Sequence, residues 1–146
     1  MIAGAARTDE PCERSFTVTL PNSMISIAIA RSVIRRITTF ESDDAQSSFL
    51  VALTEVIGNA MDEHVRMDIA EPITLSVRCD STDVVSVSDL GAGYDMTDES
   101  SAPDDPTHQS GRGLALARAF VPAMGVVSSD VGTTVTLPLV GLGIVR

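Results

Sequence analysis

Asp89 stands where a carboxylate is costly. It closes the alternating stretch Val84 to Ser88 and shares parity with Val85 and Val87, so its side chain is expected on the core side of a sheet. Gly91 and Gly93 follow at once, permitting a sharp turn and a close approach of backbone to a ligand. An inward carboxylate beside such a turn can accept a hydrogen bond from the exocyclic amine of adenine. Capping of the turn after the strand is the plainer alternative.

Glu55 and Asn59 form a second constellation. They are four apart in a helical stretch and share one face, roughly opposite its apolar stripe, where a solvated surface is the simplest reading. Ala52 and Gly58 leave space beside them, and Asn is a mediocre residue for a helix interior. An amide oxygen is a hard neutral ligand suited to Mg²⁺, which keeps several waters and takes other ligands from phosphates. A carboxylate one turn earlier can accept a proton from an attacking hydroxyl. Gly111-Arg112-Gly113, ahead of a further helix, can present backbone N–H groups to anionic oxygens, with Arg112 adding a cation; an ordinary Gly-rich helix entry has the same look. Thr133, after Gly132, shares parity with Val135 and Leu137 and is expected to place its hydroxyl beside the core.

The elements that must position these groups are legible from periodicity. Phe16, Val18 and Leu20 alternate with Thr17 and Thr19 as in a half-buried strand, which Pro21 stops. Asn22 or Ser23 can cap a helix carrying Ile27, Ala30, Val33, Ile34 and Ile37 at helical spacing. Asp43 followed by Gln46 resembles a capping box for a longer helix, running to about Val65, with Phe49, Leu50, Leu53, Val56, Ile57 and Ala60 in one broad stripe. Ile73 to Cys79 and Val84 to Ser88 read as a hairpin, and Val126-Val127 with Thr133 to Leu139 as a closing one. Between them, Leu114, Leu116, Ala117 and Phe120 mark a third helix. Gly91 to Ser110, dense in Asp, Ser and Pro, is expected to be a long mobile loop.

Whole-chain properties narrow the class. A chain of 146 residues, 44% hydrophobic, can bury one sizeable core, so one domain is expected over 15–146 after a flexible leader, 1–14. A net charge of −10, with no basic cluster to reverse it locally, disfavours nucleic acid. The most apolar stretch, Leu137 to Val145, is too short and Gly-rich to span a bilayer, which places the expectation in the cytosol. The two cysteines, Cys12 and Cys79, have neither ligand spacing nor a disulfide context.

Taken together and in this order, the motifs describe a pocket for Mg-ATP. From about Ser15 to Leu139 the chain resembles the GHKL, or Bergerat-type, ATP-binding domains: Glu55 and Asn59-Ala60 match the N box, Asp89-x-Gly91-x-Gly93 the adenine box, Gly111-x-Gly113-Leu114 the second glycine box, and Gly132-Thr133 the last strand. With one helix ahead of the N box, it is most similar to the anti-sigma factor serine/threonine kinases. The resemblance implies an α+β, two-layer sandwich, with a mixed, mostly antiparallel sheet, helices on one face and a mobile ATP lid. It also implies Glu55 as the catalytic base, Asn59 as the Mg²⁺ ligand, and Asp89, Gly91, Gly93, Gly111, Arg112, Gly113, Leu114 and Thr133 as nucleotide-binding. As partners it implies a sigma factor and an anti-sigma antagonist phosphorylated on serine, and it leaves a homodimer open.

Two features depart from that pattern. Glu63 occupies the place, four after Asn59, where the family often has His, and His64 comes one later. The lid segment carries Asp95, Asp98, Glu99, Asp104 and Asp105 with no Lys or Arg before Arg112; it reads as a solvated acidic loop that could also meet a basic partner. A histidine-kinase-type domain acting on a separate phosphoacceptor, and a non-catalytic module that uses ATP only as a structural ligand, are the alternatives.

Overall fold

In the computed structural model, residues 14–38, 40, 42–79, 83–91 and 109–139 are described. Strands β1 (Arg14–Leu20), β2 (Ile73–Cys79), β3 (Val84–Asp89), β4 (Gly125–Ser129) and β5 (Gly132–Pro138) form one sheet in the order β1-β2-β3-β5-β4. All four pairings are antiparallel, so the described sheet is not mixed. Helices α1 (Ile25–Ile37), α2 (Asp43–Arg66) and α3 (Gln109–Phe120) complete the described elements. No helix among the described residues is long and apolar enough to cross a membrane.

Strand parity decides which face of the sheet the helices cover. Rows such as Val18–Leu75–Val87–Val135 run across the register, and Leu20, Ile73, Leu75, Val77, Val85, Val87, Val135 and Leu137 enter one core with the helices. The other face is a carpet of small hydroxyls, with Thr17, Ser76, Ser86 and Thr136 in one row and Thr19, Thr74, Ser88 and Thr134 in the next. The result is the two-layer α+β sandwich that the resemblance implies. Because side chains alternate with period two, a one-residue slip would drive these hydroxyls into the core, which fixes the register.

Helix α2 is the spine of the helical layer. Its buried residues, Phe49, Leu50, Ala52, Leu53, Val56, Ile57, Asn59, Ala60, Met61 and His64, cover an arc of roughly 200° at 3.6 residues per turn. That arc is wider than a single sheet contact needs, and packing against both α1 and α3 accounts for it. Ser42 starts the helix, its Oγ accepting the Ala45 N–H at 3.1 Å, while Asp43 and Asp44 place charge in the first turn, where the macrodipole favours it. The cap is therefore Ser42 and not Asp43.

The other two helix starts also bear on expectation. Helix α1 begins after Met24, whose own side chain makes no cap; of the two expected capping residues, Ser23 accepts the Ile25 N–H on its Oγ at 3.4 Å, whereas Asn22 donates to the Ile69 carbonyl at 3.1 Å, tying the β1–α1 corner to the segment after α2. Helix α3 starts at Gln109, so Gly111-Arg112-Gly113 lie inside its first turns and not ahead of it. Two helical glycines cost about 1 kcal/mol each relative to Ala, and burial of Leu114 and Ala117 against the core offsets this.

Arg14, assigned to the leader by sequence, already pairs with Cys79. Residues 1–13, Gly93 and most of the acidic lid segment lie outside the described residues.

Candidate functional site

Asp89 ends β3 opposite Thr133 of β5, and both point into the helix-covered side, 6% and 4% exposed respectively. Its carboxylate is not idle. Oδ1 accepts the Gly91 N–H at 2.8 Å, and the Thr133 N–H also donates toward the group. Burial pushes the Asp89 carboxyl above the usual carboxylate range; the Gly91 and Thr133 N–H donors oppose the rise, and the Glu63 carboxylate adds to it. The Thr133 hydroxyl pairs with the Ser128 Oγ at 3.1 Å, closing the β4–β5 side of the site.

Gly132 explains how the two strands come so close here. Its φ is +150°, and a Cβ would fall 2.1 Å from the Asp89 carbonyl oxygen. Only glycine fits that contact without moving backbone.

Glu55, Asn59 and Glu63, four apart on α2, lie along a rail, and His64 follows beside its far end. At one end, a Cβ built on Gly113 of α3 would reach ordinary contact, 3.8 Å, with the Glu55 carbonyl oxygen, so the start of α3 passes beside Glu55. In the middle, Asn59 is 8% exposed, and its Oδ1 is buried with no hydrogen-bond partner among the described residues. The position is buried, not the solvated surface that amphipathicity alone suggests. At the far end, Glu63 lies against Gly91, where a Cβ would meet its Cγ, and His64 accepts the Leu90 N–H at 2.9 Å. Eight steps of helix from Glu55 to Glu63 span about 12 Å.

A buried amide oxygen without a donor is a strong preference waiting for a ligand, since leaving it unpaired costs about 1–3 kcal/mol. It fits a hard cation held mainly by phosphate and water. No group of three or more His, Cys, Asp or Glu side chains among the described residues is placed to hold a metal ion.

Of the residues singled out by sequence, Glu55 and Gly113 meet at the α2–α3 contact with Asn59 one turn further along α2, while Asp89, Gly91 and Thr133 come together at the end of β3. Leu114 is fully buried in the core. Gly111 lies in the first turn of α3, whereas Gly93 and the Arg112 side chain fall outside the described residues. Sequence reasoning missed His64 and Glu63 as parts of the site. His64 continues the stripe of Leu53, Ile57 and Ala60, and a histidine on an apolar stripe was the available signal.

Residues 20–139 match the histidine kinase-like ATPase domain. Among solved structures, the RsbU and RsbW domains of Rv1364c from Mycobacterium tuberculosis share the fold with a TM-score of 0.57 and 20% identity, over 86% of this chain and 32% of that one. This chain thus spans about a third of that protein. The SiaB–SiaC complex from Pseudomonas aeruginosa is similar with a TM-score of 0.52 and 12% identity, over 94% of both chains. Comparison with curated proteins gives no match. With residues 20–139 matched, most of its length, the chain belongs to the histidine kinase-like ATPase domain family.

Proposed function

We propose that this protein binds Mg-ATP along α2 and uses it as an anti-sigma-type serine/threonine kinase, phosphorylating an antagonist protein and sequestering a sigma factor by exchange of partners. The observation that carries the reading is Asn59. Its amide oxygen is buried and has no hydrogen-bond partner among the described residues, one turn from Glu55 and one turn from Glu63, which lies against Gly91. Membership of an ATPase-domain family supports ATP as the nucleotide. The likeness to a protein solved in complex, SiaB with SiaC, supports a second protein as the partner.

Each residue has a task in this scheme. Asp89 accepts from the adenine amine, and its buried position excludes water that would compete for that bond. The Asn59 amide oxygen offers one ligand to Mg²⁺, and N–H groups at the start of α3 face anionic oxygens. Bound Mg-ATP supplies the transferable phosphoryl group and the charge neutralisation of its oxygens. Glu55 orients the acceptor serine hydroxyl and takes its proton as that oxygen bonds to phosphorus, with ADP leaving. Most of the rate then comes from positioning and charge stabilisation.

The test is calorimetric titration with ATP, with and without Mg²⁺, followed by single-turnover transfer to a co-purified partner and acid treatment of the product. Acid-stable phosphate on serine or threonine is the expected result. Acid-labile phosphate points to the histidine-kinase-type reading, and binding without transfer to a verified antagonist points to the non-catalytic module.

A further inference from the structure

His64 is fully buried, and among the described residues both ring nitrogens are paired with backbone groups. Its Nε2 lies 2.9 Å from the Leu90 N–H and its Nδ1 2.9 Å from the Glu71 carbonyl oxygen. Those partners determine the tautomer: Nε2 faces a donor and must accept, so Nδ1 carries the proton and donates to Glu71. One ring therefore joins three pieces of chain, namely α2, the segment leading into β2, and the exit from β3.

The exit from β3 is where this matters. Leu90 has left the sheet ladder, and two successive N–H groups there are taken by side chains, Leu90 by His64 and Gly91 by Asp89. The Leu90 side chain is half exposed and gives the turn little anchorage of its own. The His64 bond thus sets how far Asp89 and Gly91 stand from α2.

We propose that His64 is a positioning residue for recognition of the nucleobase: its neutral imidazole clamps the Leu90 N–H and holds the Asp89–Gly91 turn at the distance from α2 that a purine amine requires. This rests on the reading of Asp89 as the adenine acceptor. A histidine merely satisfied within a core would support the fold without selecting a base.

The two roles separate by substitution. In His64→Gln the amide oxygen can reach the place of Nε2 and still accept from Leu90, while the bond to Glu71 is lost. In His64→Asn the amide nitrogen can replace Nδ1 and keep the Glu71 bond, leaving the Leu90 N–H without an acceptor. The readout is the ratio of affinities for ATP and inosine triphosphate, which carries a carbonyl in place of the amine. Phosphate and metal contributions cancel in that ratio.

The expected result is a wild-type preference for ATP of about tenfold or more, largely kept in His64→Gln and largely lost in His64→Asn, with melting temperatures lowered similarly in both. Wild type without a preference would overturn the adenine reading of Asp89 itself. A wild-type preference that survives in both variants, or falls equally in both, would overturn the positioning role alone. Should neither variant fold, amide exchange in the wild type decides. Leu90 protected from exchange, with ¹⁵N shifts of a non-protonated Nε2, supports the clamp, and a freely exchanging Leu90 amide overturns it.

Discussion

Asp89→Asn tests both the chemistry and the electrostatics of the site. The carboxylate is 6% exposed, and Oδ1 is engaged by the Gly91 N–H at 2.8 Å. An asparagine can keep that bond through its amide oxygen, but its NH2 then faces the adenine amine, donor against donor. A hydrogen bond to a charged group contributes roughly 1.5–3 kcal/mol, so ATP affinity should fall by about 10- to 150-fold. Stability should move the other way. The carboxyl pKa is raised in the folded protein, chiefly by burial, so the folded state holds the proton more tightly than the unfolded chain. Its contribution to stability is favourable below the unfolded pKa and is lost as pH rises through the folded one; at neutral pH the ionised group is a cost. Asp89→Asn removes that cost and should melt at the same or a higher temperature. By the same reasoning, wild-type ATP affinity should weaken as pH falls through the raised pKa, whereas the weak affinity of the variant should not. Calorimetry with ATP across pH, alongside thermal melts, measures all three. Unchanged affinity in the folded variant would remove Asp89 from the base site, and a large drop in melting temperature would refute the account of its burial.

Further substitutions probe the rest of the rail. Asn59→Ala should abolish the Mg²⁺-dependent part of nucleotide affinity while metal-free binding changes much less; the same Mg²⁺ enhancement as wild type in paired titrations would show that the amide is not a ligand. Glu55→Gln should bind Mg-ATP and partner normally yet transfer phosphate about 10²–10⁴-fold more slowly, towards the low end because positioning dominates phosphoryl transfer. Equal single-turnover rates at saturating nucleotide would eliminate Glu55 as the base. Gly132→Ala forces a side chain onto φ +150° and against the Asp89 carbonyl, which is backbone and cannot swing aside. Strain of order 1–3 kcal/mol should lower the melting temperature by roughly 2–12 °C and weaken ATP binding with it, and an unchanged melt would contradict the close β3–β5 approach.

Sequence alone determined whatever depends on periodicity within one element. The alternation of Phe16 to Leu20, the β2–β3 hairpin and the stripe from Phe49 to Ala60 all appear as read, because burial on one side of a strand or helix imposes its own spacing. The inward aim of Asp89 and Thr133 follows from the same rule. Tertiary structure decided what depends on a second neighbour. Asn59 lies about 120° from the centre of the apolar stripe, and only the tertiary fold buries it, with its amide oxygen left without a hydrogen-bond partner among the described residues. Core contacts made by Leu114 and Ala117 likewise carry α3 back through Gly111 and Gly113, against their propensity. His64 and Glu63 joined the site because the turn after β3 crosses the last turns of α2, a contact between segments 26 residues or more apart in sequence. Hydrophobic spacing records which side of an element is buried; it carries no information about which distant backbone N–H will need an acceptor there.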